Sequence, residues 1–375
     1  MDQTRIGNYL LEEQLGAGGM AVVWRARQLS LGRRVALKML HPTTLQTDQD
    51  TLRFRREMQL LMGLKHPCIV QILDAGIEDD VPFIAMELLE GRSLLEWQRA
   101  VGALPWPAAL AIGARLAEGL AFIHENGLLH RDVKPSNGFL TTDGQVKLLD
   151  FGLARRVDQT ALTRQGDVVG TVGYLCADVL VGKPHTARSD LWALGCVLYE
   201  LLVDRRPVEL AGCWRLEEYL GRLLSGKIVA PATLDPRVPA PLSDLVLELL
   251  APTTESRPIT AQDTAGRLDA LLARSGHRSS EVLLGVDAPA DRPRGAVERP
   301  GPGGRHRHAP PRPGRRRPGG PGWAGAAALV SVLAVLACGL AIVRPRPEVS
   351  VAPHQVRRPA PSCAATAVPI AAPWP

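Results

Sequence analysis

The densest chemistry in this 375-residue chain lies in eight consecutive residues, His130-Arg131-Asp132-Val133-Lys134-Pro135-Ser136-Asn137. Asp132 is a carboxylate able to orient a hydroxyl and accept its proton. Asn137, five positions on, offers an amide oxygen to a hard divalent cation. Lys134, between them, can neutralise negative charge on a group in transit. Together they meet the requirements for moving a phosphoryl group onto a hydroxyl. Asp150, in Asp150-Phe151-Gly152, adds a second metal carboxylate. An aspartate ahead of a turn is commonplace alone, but not so close behind the first motif.

Two earlier residues fit the same chemistry. Lys38, closing Val35-Ala36-Leu37-Lys38, is placed to hold the α- and β-phosphates of a nucleotide. Glu57, in Phe54-Arg55-Arg56-Glu57, is expected to pair with Lys38 and fix it. Isolated, either would read as ordinary surface charge. Upstream, Gly16-Ala17-Gly18-Gly19-Met20-Ala21-Val22-Val23 follows an apolar strand. Glycines let a hairpin approach phosphates and present backbone N–H groups to them. This run departs from GxGxxG, because Ala21 stands at the third glycine.

Positioning these groups requires two kinds of element. Residues 9 to about 40 alternate apolar and polar with glycine breaks, as paired strands do, and 69–87 reads as two more strands around a turn. Apolar residues recur at helical spacing over 50–64, 107–126, 189–203, 242–250 and 261–273. A strand-rich part followed by a helix-rich part predicts an α+β protein of two lobes, joined near Glu87–Gly91.

Composition changes after Ser275. Residues 277–322 are rich in Pro, Gly and Arg and predict a disordered linker. Trp323–Val343 then runs 21 residues without a charge, enough for a helix to cross the roughly 30 Å hydrocarbon core. Arg305, Arg307, Arg312, Arg315, Arg316 and Arg317 precede it, and Arg344 and Arg346 follow closely. The positive-inside rule puts the N-terminal side in the cytoplasm. Residues 344–375 read as a short unstructured outer tail. Residues 299–375 carry eleven Arg and one acid, Glu348, so the net charge of +6 belongs to the tail, with no sign of a nucleic-acid-binding core. Ala324 with Ala328, and Ala337 with Ala341, are small-residue pairs at dimer spacing, although Ala-rich composition explains them as well. Six scattered cysteines form no metal spacing and suit a reducing compartment. The polar N-terminus gives no signal-peptide pattern.

Leu15-Gly16-Ala17-Gly18-Gly19-Met20, Val35 to Lys38, His130 to Asn137 and Asp150 to Gly152 occur in the order and spacing of bacterial eukaryotic-like (Hanks-type) serine/threonine protein kinases. The chain resembles that family over roughly residues 9–273. The resemblance implies the bilobal protein-kinase fold over 9–273; composition, apolar length and flanking arginines add a linker (274–322), a transmembrane helix (323–343) and a tail (344–375), at the inner or plasma membrane with the catalytic domain cytoplasmic. It implies ATP and Mg²⁺ (or Mn²⁺) as cofactors and protein Ser/Thr hydroxyls as acceptors. Asp132, Lys134, Lys38 and Glu57 would be the catalytic set, and Asn137 and Asp150 the metal ligands. Gly16, Ala17, Gly18 and Gly19 would cover the phosphates. Val23 and Ala36 would lie above the adenine and Phe139 below it. Met86 would be the gatekeeper, and the Glu87 and Leu89 backbone would bond adenine. Thr160 and Thr163 are candidate phosphosites, and a phosphate there would recruit the Arg131 guanidinium and order the loop. Gly170-Thr171 would lie next to the substrate, and Asp190 would hold the catalytic loop.

Further departures from the family pattern follow. Cys176-Ala177-Asp178 stands where the family has Ala-Pro-Glu, so Asp178 is one methylene short for its expected pairing with Arg257. Gly138 replaces a usual apolar side chain. A homodimer through the small-residue pairs of the span is a separate partner expectation, and the alternative reading of the whole chain is a membrane-tethered pseudokinase or scaffold. It rests on these departures alone, because all six catalytic and metal groups are present.

Overall fold

The computed structural model of the chain describes residues 4–19, 21–41, 45, 47–150, 172–209, 216–258 and 260–286. Met20, Phe151, Gly152, Thr160, Thr163, Gly170, Thr171, most of the expected linker, the 323–343 span and the tail lie outside them.

Six strands form the first sheet: β1 (Arg5–Ile6), β2 (Tyr9–Ala17), β3 (Ala21–Gln28), β4 (Arg34–Leu40), β5 (Ile72–Glu78) and β6 (Val81–Glu87). They are antiparallel in the order β1-β2-β3-β4-β6-β5. Side chains alternate across a strand, and here the two sets serve two cores. Val35, Leu37, Ala26, Phe83 and Ala85 join Ile6 and Tyr9 in a small cluster. Ala36, Ile84 and Met86 belong to the main core, with Val23 packed against it.

Helix α1 (Asp48–Met62) starts at Thr47, whose hydroxyl accepts Asp50 N–H at 3.1 Å while the Asp50 carboxylate accepts Thr47 N–H at 3.1 Å. This reciprocal cap satisfies two otherwise orphaned donors. Phe54, Met58 and Leu61, spaced i, i+4, i+7, bury one face. The charged remainder stays at the surface.

Past Glu87 come β7 (Gly91–Ser93), α2 (Leu94–Val101) and α3 (Trp106–Glu125). Helix α3 is apolar almost all round and long enough to cross a membrane, yet most of it is buried, which marks a core helix. Next are a single turn, Pro135–Asn137, then β8 (Gly138–Thr141) and β9 (Val146–Leu148), which form a second sheet, β7-β8-β9. The rest is helical: α4 (Ala177–Leu180), α5 (Ala187–Val203), α6 (Leu216–Leu224), α7 (Pro231–Leu234), α8 (Ala240–Leu249), α9 (Ala261–Arg274) and α10 (Ser279–Leu284). Cys68, Cys176 and Cys196 are free and buried.

Helix α10 corrects one expectation. Sequence predicts linker from 274, whereas Ser279–Leu284 is helical, with Leu283 4% exposed. Val282 and Val286 also pack on the core, and the Trp106 and His277 rings meet edge to face at 5.6 Å. The burial of a few aliphatics outweighs a composition that looks like linker.

Candidate active site

The 130–137 loop is pinned from helix α5. Asp190, 2% exposed, accepts N–H bonds from His130 at 3.0 Å and Arg131 at 2.9 Å. The His124 ring shares the same carboxylate at 2.9 Å. Burial pushes the Asp190 carboxyl up, but these bonds and the neighbouring histidines outweigh it and hold it below its ordinary value. His130, fully buried, bonds Leu149 O at 2.9 Å through its Nε2 and accepts Asp132 N–H at its Nδ1, 3.3 Å away. Arg131 (φ 66°) and Asp150 (φ 52°) are two of the five non-glycine residues at positive φ among the described residues. Such conformations persist only where surrounding bonds fix them, and they concentrate at functional sites.

Three predicted groups meet at Asp132. Lys134 Nζ lies 2.8 Å from Asp132 Oδ2. Asn137 Nδ2 donates to the same oxygen at 3.0 Å and to Asp132 O at 2.8 Å. With its amino group so committed, Asn137 presents its other side-chain atom, an oxygen, for a cation. The β8–β9 hairpin brings in the second metal residue, because it begins just after Asn137 and ends just before Asp150, and Leu149 N–H closes on Asn137 O at 2.7 Å. These two oxygen donors fit Mg²⁺, which takes one or two protein oxygens and completes its shell with water and phosphate. Among the described residues no group of three or more His, Cys, Asp or Glu could hold a metal.

Lys38 departs from expectation. Its Nζ lies 2.7 Å from Asp150 Oδ1, and the predicted Lys38–Glu57 pair is not among the ion pairs of the described residues. Glu57 itself lies on α1, with an interaction of its own. An ammonium on a flexible stem takes whichever carboxylate it reaches, and here that is Asp150.

The residues expected to face a nucleotide lie on β2, β3 and β4, at the end of β6 and just past it, and on β8. Gly16 and Ala17 end β2 opposite Val23 and Val22, and Gly18 and Gly19 make the turn, with Gly18 N–H on Ala21 O at 2.9 Å. Val23 pairs with Lys38, and Ala36 with Met86. Glu87 ends β6, and its N–H is committed to Gln71 O at 3.0 Å, so only its carbonyl can serve an adenine. Leu89 lies past that strand end. Phe139, on β8, lies against Gly91 (φ +145°), where an added Cβ would stand 2.3 Å from Leu140 O. Thr160 and Thr163 lie outside the described residues.

Two of the departures acquire a physical account. A Cβ on Gly138 would meet Leu94 Cδ1 at 2.5 Å, and Leu94 is fully buried. The leucine occupies the volume that a side chain at 138 would need. The expected Asp178–Arg257 bridge does not form among the described residues. Asp178 bonds Lys183 Nζ at 2.7 Å and the Thr254 hydroxyl. Arg257 donates to Ala251 O (2.9 Å), Pro252 O (3.2 Å) and Arg188 O (3.3 Å) and lies 5.0 Å from the Trp192 ring centroid. The shorter acid is satisfied nearby, and backbone carbonyls hold the arginine.

Two residues escaped the sequence reading. His124, six positions before His130, gives no sign that it shares Asp190. Lys147, 8% exposed, lies 2.8 Å from Glu87 Oε1, and its only trace is a lone charge in an apolar strand.

A strand-rich lobe hinged to a helical one, with this acid, amide and lysine constellation between them, defines a protein-kinase domain. The chain belongs to the protein kinase domain family, which it matches over residues 9–265. It is 37% identical over 259 residues to the serine/threonine-protein kinase PrkC of Bacillus subtilis, covering 68% of this chain and 39% of that protein. To PknB of Mycobacterium leprae it is 35% identical over 292 residues, 74% of this chain and 45% of that one. It thus spans about two fifths of the length of these curated relatives. The crystal structure of the Mycobacterium tuberculosis PknI kinase domain superposes with a TM-score of 0.57 at 25% identity, covering 72% of this chain and 98% of that one.

Proposed function

We propose that this chain transfers the γ-phosphoryl group of ATP to serine or threonine hydroxyls of proteins, and to its own activation segment at Thr160 or Thr163. The observation that carries this reading is the convergence of Lys134 and Asn137 on Asp132, with Asn137 and Asp150 at the two ends of one hairpin. Mg²⁺, held by Asn137 and Asp150, would supply charge neutralisation for the phosphates. Asp132 orients the acceptor hydroxyl and takes its proton at Oδ1 or Oδ2. Lys134, 2.8 Å from Asp132 Oδ2, neutralises negative charge on the phosphoryl group in transit. Lys38, now paired with Asp150, serves the α- and β-phosphates when nucleotide is bound. Thr171, which the family pattern assigns to the segment beside the acceptor, supports Ser/Thr over Tyr. We also propose that Trp323–Val343 anchors the chain in a membrane with residues 9–273 on the cytoplasmic side, as its uncharged length and flanking arginines suggest.

The test is transfer of label from γ-labelled ATP by the full-length chain, beside Asp132→Asn and Lys38→Met. Label in the wild type, lost in both variants, is the expected result, with phosphosites mapped by mass spectrometry. Absence of label from folded wild type, with Mg²⁺ or Mn²⁺ and a generic acceptor, would leave the pseudokinase reading standing instead.

A further inference from the structure

Residues 147–149 fasten the chain just ahead of Asp150, one link each. Leu149 gives its N–H to Asn137 O at 2.7 Å and its carbonyl to the His130 ring at 2.9 Å. Leu148 gives its N–H to Cys68 O at 2.8 Å and accepts Val70 N–H at 2.9 Å. Both links are carried by Leu148 and Leu149 backbone atoms, so neither depends on which side chain stands there. Lys147 makes the third link with its side chain. Its ammonium lies 2.8 Å from Glu87 Oε1, and the same oxygen accepts Gln71 N–H at 2.9 Å.

The chemistry of that link is unlike its surroundings. Val146, Lys147 and Leu148 are 2%, 8% and 1% exposed, so the only charge in the strand is buried with its apolar neighbours. A buried ammonium persists only where a partner offsets its desolvation. The partner belongs to the other sheet. Glu87 is the last residue of β6, at the strand end assigned above to adenine, while its carboxylate is engaged with Lys147. Lys147 therefore joins the adenine end of the site to the strand that delivers Asp150, three residues on. The pair lines a cavity behind the connection, with Lys65, His66 and Gln71. Glu87 keeps 30% side-chain exposure there and Lys147 only 10%.

We infer that the Lys147–Glu87 pair is a brace coupling nucleotide binding at the Glu87 strand end to metal binding at Asp150, with Lys147 as a positioning residue for the transfer reaction. This inference rests on the proposed assignment of ATP and metal to these residues. If the brace is cut, Asp150 loses its register with the adenine strand. ATP and metal should then weaken together.

The experiment uses the full-length chain with Lys147→Met, Lys147→Arg, Glu87→Gln and the Lys147→Met/Glu87→Gln double variant. Three quantities are measured: kcat, the KM for ATP at saturating Mg²⁺, and the Mg²⁺ concentration for half-maximal rate at saturating ATP. Lys147→Met is expected to raise both the KM and the half-saturating Mg²⁺ about fivefold, the factor that about 1 kcal/mol gives, and more than it lowers kcat. Lys147→Arg, which keeps the charge, should recover most of the change. The double variant should be no worse than the worse single. If both constants stay at wild-type values in Lys147→Met, if only one moves, or if the singles combine multiplicatively, the brace is overturned. Should Lys147→Met not fold, Lys147→Met/Glu87→Gln, which leaves neither charge of the pair buried, carries the same expectation and the same refutation. Asp132→Asn in the same assay separates the two layers. Turnover that survives it overturns the site assignment itself, whereas loss of turnover there with unmoved constants in Lys147→Met overturns only the brace.

Discussion

Gly138 and Leu94 compete for one volume, and the competition can be measured. In Gly138→Ala the new Cβ would stand 2.5 Å from Leu94 Cδ1 and 3.1 Å from Cγ, well inside van der Waals contact. Leu94 cannot swing outward, because it is fully buried at the first turn of α2, behind the Ser93 cap. Overpacking of this kind costs about 1–3 kcal/mol. Leu94→Ala alone should cost about 2–5 kcal/mol, since it empties a fully buried site. Combined, the two should not add. The truncated leucine relieves the clash, so the double variant should be as stable as Leu94→Ala alone, a coupling equal to the overpacking cost. Urea unfolding followed by tryptophan emission reads this directly, with Trp97 on the same helix. Phosphoryl-transfer rate provides a second reading, because Asn137 is the neighbour of Gly138: the rate should fall in Gly138→Ala and recover in the double variant. The reasoning fails if Gly138→Ala unfolds within about 0.5 kcal/mol of wild type, or if the two costs simply sum.

Further expectations concern the rest of the chain. Asp190→Asn should destabilise the domain by about 2–4 kcal/mol, since an amide nitrogen then faces donors that a carboxylate accepted, and turnover should fall more than tenfold as the 130–132 backbone loses its anchor; thermal melting and initial rates check both. Arg257→Ala should destabilise far more than Asp178→Ala, because Arg257 is 2% exposed and holds three carbonyls, while Asp178 pairs with an exposed lysine; equal losses in a denaturant comparison would contradict this. The Asp178 carboxyl is held below its ordinary value by Lys183 and then Thr254, so its contribution is present above the ordinary carboxylate range and lost as pH falls through it; acid titration should show a stability loss in wild type that Asp178→Ala lacks. Deleting 323–343 should move the chain from the membrane fraction to the supernatant, and a deletion that stays with the membrane would refute the anchor.

The catalytic constellation was legible because its members sit close in sequence: Asp132, Lys134 and Asn137 meet in space as they do in the chain. The long helices were legible because each carries an apolar face through several turns, so α3, α5, α8 and α9 fall within two residues of expectation. Helices α6 and α10 were not foreseen, being short and dependent on a few aliphatics such as Leu223 and Leu283 that read as isolated until they dock. Partner choice was the least legible feature. Nothing local tells Lys38 to take Asp150, or Asp178 to prefer Lys183 and Thr254 over Arg257, because a long side chain chooses among acceptors that only the fold brings within reach.

The buried cysteines give the domain an internal clock. Cys68 follows the α1 helix and its thiol is pushed up to about 12, first by burial and then by Glu118. Cys196, within α5, is raised well above the ordinary thiol value by burial. Thiolates, not thiols, react with alkylating agents, so neither should be modified while its surroundings stay closed. Each becomes reactive only when its own region opens. The order in which a slow alkylating reagent marks Cys68 and Cys196 would therefore report whether the seam between Cys68 and α3 or the interior of α5 opens first.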